Sequence, residues 1–136
     1  MATATRARST FQVKSWDEQT SSEVDGHFKI THAKVAFTYT GDVEGEGAMQ
    51  YLMLYREDQS AAVIGLERIT GKLSGRSGSF VLSHRGGYAN GVASGEFEVV
   101  DGSASGDLAG LRGHGTAVAQ SDGNTEFTME YELPTQ

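Results

Sequence analysis

Apolar and polar residues alternate along most of this chain, and a period of two predicts β-strands with one dry face and one wet face. The alternation is clearest near the C-terminus, where apolar side chains take every second position: Phe127, Met129, Tyr131 and Leu133. Phe97 and Val99 repeat the pattern within residues 95–99. No window carries an apolar stripe of helical period with a cap at each end, so helices are not predicted as the organising elements.

Six further segments have strand patterns: Ser9–Glu18, His27–Thr40, Ala48–Glu57, Ala61–Leu73, Ser79–Arg85 and His114–Gln120. Turn signals separate the segments, among them Gly41-Asp42 and Gly86-Gly87. About eight strands at roughly even spacing are typical of a sandwich or a barrel. Because closure removes exposed strand edges, we predict an all-β fold, a single antiparallel β-barrel of about eight strands spanning residues 1–136. Residues 1–8 are expected to be a frayed terminus.

Two irregularities in the alternation concern the placement of side chains. In His27–Thr40 the apolar positions change parity after Ile30, which predicts a β-bulge near Thr31–Lys34. Trp16 has the opposite parity to the apolar residues before it, so without a bulge at Ser15 it lies outside the barrel. An exterior Trp suggests a protein–protein contact or a terminus that covers it, and we expect copies of the chain to associate through an outer face as a homo-oligomer.

Composition narrows the classes of function. The net charge of -7 and the absence of any Lys/Arg run argue against binding to nucleic acid or to an anionic membrane surface. No apolar run approaches the ~20 residues of a membrane span, and the first ten residues lack the apolar region of a secretory signal. The absence of Cys excludes disulfides, thiolate catalysis and Cys-based metal sites. We predict a cytoplasmic protein of bacterial type.

Residues 65–87 form a predicted hairpin that carries chemically active side chains. If the loop residues are Arg76-Ser77, the register pairs Glu67 with Gly86 and Ile69 with His84, and places Glu67 and His84 as diagonal neighbours on the apolar face. A carboxylate beside an imidazole orients the imidazole tautomer and suits general acid–base catalysis. We therefore predict Glu67 and His84 as catalytic residues.

Two alternatives for this hairpin stay open. Glu67 could be a structural carboxylate at the barrel mouth, held by backbone groups or an Arg, with His84 half in solvent. A three-residue loop would instead bring Arg68 opposite His84 and move Glu67 outside the barrel.

Tyr51, Met53 and Tyr55 form a second stripe, with Leu52 and Leu54 on the opposite face. Either set could face inward, because the loop at residues 57–60 does not fix the register. If the tyrosines face inward, their phenols could donate to a ligand oxygen; the alternative is core packing. The residues predicted to contact a ligand are Tyr51, Tyr55, Phe80, Leu82, Phe97 and Tyr131.

Signals for other chemistries are weak. The four histidines show neither H-x-H nor H-E-x-x-H spacing, so no metal site is predicted. The glycine-rich loop at residues 102–115 lacks the P-loop pattern and is better explained as a crowded connection at one barrel end. No nucleotide signature and no G-x-S-x-G motif occur, and we predict no cofactor.

Five segments together resemble a small bacterial family of unknown function among the allene-oxide-cyclase-like barrels: FQVKSWDE, YTGDVEGEG, GLERITGKLSGRSGSFVLSHRG, SGDLAGLRGHG and MEYEL. The loop at Gly106–Gly113 also resembles that of plant dirigent proteins. The resemblance implies an eight-stranded antiparallel barrel whose cavity, in relatives of known activity, holds an apolar substrate and steers its cyclisation or coupling. It implies no established catalytic set for this chain.

These observations lead to three hypotheses of function. The first is a barrel that binds a small apolar molecule and acts as a cofactor-independent isomerase or cyclase through Glu67 and His84. The second is a ligand carrier or sensor without chemistry. The third is a barrel filled by side chains that acts through contacts between copies. A cavity of ~300 Å³ or more with Glu67 or His84 in its wall would favour the first two.

Overall fold

A computed structural model describes residues 4–24, 28–120 and 123–134. The described residues form strands and turns without a helix. The strands are β1 (Thr5–Val24), β2 (Phe28–Gly41), β3 (Val43–Arg56), β4 (Ala61–Leu73), β5 (Arg76–Ala89), β6 (Val92–Val99), β7 (Ser105–Gly106), β8 (Arg112–Gln120) and β9 (Thr125–Glu132).

The strands close into one antiparallel barrel, as predicted. Strands β1 through β6 pair in chain order, β6 pairs with β8, and β8 pairs with β9. The ring closes where Thr5–Ser9 of β1 pairs with Phe127–Tyr131 of β9. β7 adds only a short pairing to β5, so the barrel wall has eight of the nine described strands.

The N-terminal segment is not frayed from Thr5 onward. Thr5–Ser9 pair with β9, and Ala7 is fully buried. The expectation for residues 1–8 was therefore wrong for residues 5–8, because these residues supply the closing seam of the barrel. Residues 1–3 and the predicted turn at residues 25–27 lie outside the described residues.

Two predicted turns are wrong. The β4–β5 turn consists of Ser74-Gly75, with φ of 50° and 85°, and positive φ at both positions is the geometry that two-residue hairpins prefer. Gly86 and Gly87 lie inside β5, and the β5–β6 turn consists of Asn90-Gly91, again with positive φ at both residues. A Cβ at Gly86 would collide with the carbonyl of Ser94, so this glycine serves close strand approach and not a turn.

The bulges lie in β1 and not in β2. Register shifts occur between Val13 and Ser15 and between Thr20 and Ser22, whereas β2 pairs with β3 without interruption. The predicted bulge near Thr31–Lys34 was wrong, and Phe28 points outward. The shift before Ser15 turns Trp16 to the inner side, which corrects its predicted exterior position.

The barrel interior is packed at the end that holds the β4–β5 turn. The glycine-rich connection between β6 and β8 carries Leu108 and Leu111 into this end, with exposures of 0% and 2%. At the opposite end lie the turns β3–β4 and β5–β6, and the interior opens there. On the outer wall, Leu52, Ile64 and Leu66 are exposed apolar residues, and association of copies through an outer face stays a prediction.

Candidate functional site

The open half of the barrel encloses a cavity of about 620 Å³. This volume lies within the usual range for a small-molecule site. Most of its wall is aromatic or aliphatic, and the residues that matter here are Phe37, Tyr39, Tyr51, Met53, Tyr55, Val63, Glu67 and His84. The interior is therefore not filled by side chains.

Glu67 and His84 meet in the wall of this cavity. The observed register pairs Glu67 with Leu82 and His84 with Gly65. It differs from the predicted register by an even number of residues, so both side chains keep the same face and remain diagonal neighbours. His84 Nε2 lies 2.8 Å from Glu67 Oε1. The Glu67 side chain is 0% exposed and that of His84 is 10% exposed, which excludes the half-solvated arrangement considered above.

Tyr39 extends this pair into a chain of three groups. Its hydroxyl donates to Glu67 Oε2 at 2.6 Å. Tyr39 lies on β2 and Glu67 on β4, so the phenol has to reach across β3. Gly47 of β3 makes the crossing possible, because a Cβ there would collide with the Glu67 carboxylate and lie 2.9 Å from the Tyr39 ring.

Sequence reasoning treated Tyr39 only as an apolar position. Gly47 is the signal that could have revealed the role of Tyr39. It is a glycine on β3 that lies between inward-facing polar side chains of the two flanking strands. Burial, followed by the neighbouring Glu67 charge, raises the pKa of the Tyr39 phenol well above its usual range. The phenol therefore stays protonated and is a fixed hydrogen-bond donor.

The hydrogen bonds define the state of the imidazole. A carboxylate only accepts hydrogen bonds, so with Glu67 ionised His84 Nε2 must carry the proton that lies between them. Among the described residues, Glu67 is the hydrogen-bond partner of His84, and Nδ1 has none. Since His84 lines the cavity, Nδ1 is available to a bound molecule.

Tyr51 brings a free donor to the same level of the sheet. Tyr51 and His84 are both register partners of Gly65, on its two sides. The Tyr51 ring leans over Gly65, where a Cβ would lie 3.0 Å from its Cδ1. Burial and the Glu67 charge raise the pKa of Tyr51. Within the described part of the chain, its hydroxyl makes no hydrogen bond.

The Tyr55 hydroxyl is already engaged at the cavity mouth. It donates to Glu18 Oε2 at 2.8 Å, and Thr31 donates to the same oxygen at 2.6 Å. Trp16 Nε1–H donates to Glu18 Oε1 at 2.9 Å, and its ring lies 6.1 Å from that of Tyr51. Glu18 thus fixes the tryptophan and one tyrosine at the rim, and no motif or spacing in the sequence indicates this cluster.

The other predicted contact residues lie away from the cavity wall. Phe80, Leu82 and Phe97 are buried in the packed core. Tyr131 is 7% exposed, and its hydroxyl donates to Ser74 beside the β4–β5 turn, at the closed end. These four residues support the barrel beneath the site, whereas Tyr51 and Tyr55 line the cavity.

No group of three or more His, Asp or Glu side chains in residues 4–24, 28–120 and 123–134 could hold a metal ion. In the same residues, no helix is long and apolar enough to cross a membrane.

Together, the fold and site define a closed antiparallel β-barrel with a carboxylate, a phenol and an imidazole linked in the wall of an internal cavity. Residues 7–131 match the model of DUF3224, described as a protein of unknown function. The chain belongs to this family. No curated protein matches it.

A solved structure has the same fold. It is the 1.84 Å crystal structure of a protein of unknown function from Shewanella oneidensis MR-1, also of the DUF3224 family. It is 25% identical in sequence and superposes with a TM-score of 0.83. The match covers 98% of this chain and 100% of the other.

Proposed function

We propose that the barrel binds a small, mainly apolar molecule and acts on it as a cofactor-independent isomerase or cyclase. The observation that carries this proposal is the unpartnered Nδ1 of His84 in the wall of an apolar cavity, with Glu67 and Tyr39 bonded behind the ring. The apolar wall supplies binding energy and excludes water, and the imidazole moves a proton.

The three bonded groups have different roles in this proposal. His84 is the acid–base group, since it is the member of the chain with a free nitrogen. Glu67 holds the imidazole with Nε2 protonated and Nδ1 toward the ligand. Tyr39 holds the carboxylate, and as a positioning residue it makes no contact with the reacting atoms. The motif resemblance to allene-oxide-cyclase-like barrels supports the same class of activity by analogy alone.

A binding experiment with N-phenyl-1-naphthylamine, a neutral apolar fluorophore, tests the first half of the proposal. We expect enhanced fluorescence on binding to the parent protein. Ala117→Phe or Ala93→Phe, which place a ring in the cavity, should lower the affinity by about tenfold or more. Ala48→Phe is the matched control, because Ala48 is exposed on the outer wall. Equal affinity in the folded cavity variants and the control would contradict binding in the barrel.

A carrier without chemistry is the second candidate, and the open mouth favours it. Val13 and Trp16 in the cavity wall are 55% and 47% exposed, so a ligand could exchange with solvent without a change of fold. Native mass spectrometry of the purified protein shows whether a molecule is retained. A turnover assay on that molecule then separates the two functions. A retained molecule that the protein returns unchanged supports the carrier.

A further inference from the structure

We infer that the substrate is an apolar ketone or aldehyde with an acidic C–H beside its carbonyl group, bound between Tyr51 and His84. The inference rests on the proposed isomerase function and names its substrate class. It starts from two free polar groups that share one level of the cavity wall, the Tyr51 hydroxyl and His84 Nδ1.

The register fixes how these groups face each other. Tyr51 on β3 and His84 on β5 flank Gly65 on β4, so their Cα atoms lie two strand spacings apart, about 10 Å. Gly65 puts no side chain between them. Both residues line the same cavity, so a molecule bound there can meet a hydrogen-bond donor from β3 and a base from β5.

The properties of each group specify its partner on the ligand. The raised pKa of Tyr51 keeps its hydroxyl protonated, so it donates to an oxygen that accepts. In the neutral imidazole whose Nε2–H is directed to Glu67, His84 Nδ1 carries the lone pair that acts as the base. An imidazole is too weak a base to remove a proton from an unactivated C–H bond. A neighbouring carbonyl makes the C–H acidic enough, and the same carbonyl supplies the accepting oxygen.

The reaction balances without an added oxidant or reductant. His84 Nδ1 takes the proton, and the C–H electron pair forms a carbon–carbon double bond to the carbonyl carbon. The carbonyl π pair moves to oxygen, where the Tyr51 hydroxyl stabilises the enolate. The protonated imidazole then returns the proton to the same carbon, or to the far end of a conjugated system, which shifts a double bond.

Deuterium exchange into 2-tetralone, an apolar bicyclic ketone, tests this inference. Proton NMR in D2O follows loss of the C1 protons, and displacement of N-phenyl-1-naphthylamine shows that the ketone occupies the cavity. We expect the parent protein to exchange these protons faster than buffer. His84→Gln and Tyr51→Phe should each lower the protein-dependent rate by about 100-fold while the fluorophore still binds.

His114→Gln is the matched control, because His114 also lies near a carboxylate, that of Glu130 at 3.8 Å, but its side chain is 71% exposed. Its exchange rate should stay at the parent value. If the ketone displaces the fluorophore but its C1 protons exchange no faster than in buffer, the substrate class is overturned and the proposal that the barrel binds apolar molecules stands. A ketone that fails to displace the fluorophore, or parent-rate exchange in His84→Gln, would also overturn it. Failure of the fluorophore itself to bind would instead remove the proposed function.

Discussion

Replacing Tyr39 with Phe tests whether the buried carboxylate depends on its phenol partner. The change removes the donor at 2.6 Å from Glu67 Oε2 and leaves the ring in place. A hydrogen bond to a charged group contributes about 1.5–3 kcal/mol, and this carboxylate is 0% exposed, so water cannot easily replace the donor. We therefore expect Tyr39→Phe to lower the free energy of unfolding by about 2–3 kcal/mol.

Urea denaturation followed by circular dichroism measures this loss. With an m-value of about 2 kcal/mol/M, the midpoint should fall by about 1–1.5 M. Tyr131→Phe is the matched control, since Tyr131 is also a buried residue at 7% exposure but its hydroxyl donates to the neutral Ser74 hydroxyl at 2.9 Å. A loss of about 0.5–1.5 kcal/mol is expected there.

The reasoning would be refuted if Tyr39→Phe destabilised the protein no more than Tyr131→Phe does. A double-mutant cycle adds a second check. In a Glu67→Gln background the acceptor is no longer charged, so Tyr39→Phe should lower the free energy of unfolding by less than it does in the parent. Additive effects would mean that the two side chains do not stabilise each other.

Three further predictions follow from local contacts. Gly47→Ala places a methyl group against the Glu67 carboxylate, so it should destabilise the protein by about 1–3 kcal/mol in urea, and an unchanged midpoint would contradict the packing. Burial raises the pKa of Glu18, but three hydrogen bonds and the Lys29 charge together lower it more, so its net pKa falls below the ordinary 4.5. The stabilisation that Glu18 contributes is present above pH 4.5 and is lost as pH falls through its folded-state pKa. Glu18→Gln should therefore make the urea midpoint depend less on pH in the acid range. Midpoints of parent and variant that fall in parallel with pH would contradict this prediction. Burial and Glu18 raise the pKa of Tyr55 to about 12, so Tyr55→Phe should remove a late phenolate transition from an absorbance titration. The stabilisation that Tyr55 contributes to the folded state is complete below pH 10 and is lost between pH 10 and about 12.

The barrel and the shared face of Glu67 and His84 could be predicted from the sequence because they depend on the parity of apolar residues. Glu67 and His84 stayed on one face although the turn was misplaced, since the error in register was even. The turn itself was misjudged because Gly75 and Gly78 look equivalent in sequence, whereas Ser74 supplies the required positive φ.

Other features depend on contacts that one sequence does not reveal. The bulge before Ser15 has no residue signature, yet it decides that Trp16 faces the cavity. The bond from Tyr39 to Glu67 crosses an entire strand, and it follows from the pairing of three strands and not from any local motif. Glycines inside strands look like turn signals in the sequence, because their role in close strand approach becomes visible only when the partner strand is known.

The central claim is that His84 presents a free Nδ1 to a molecule in the cavity while Glu67 holds the other nitrogen. Imidazole ¹⁵N NMR, with and without saturating 2-tetralone, tests it most directly. The account predicts that His84 Nε2 is protonated in both spectra, that Nδ1 shifts on addition of the ketone, and that His114 does not respond. A His84 Nδ1 resonance that does not shift when the ketone is added, or a ring protonated on Nδ1 alone, would contradict the account.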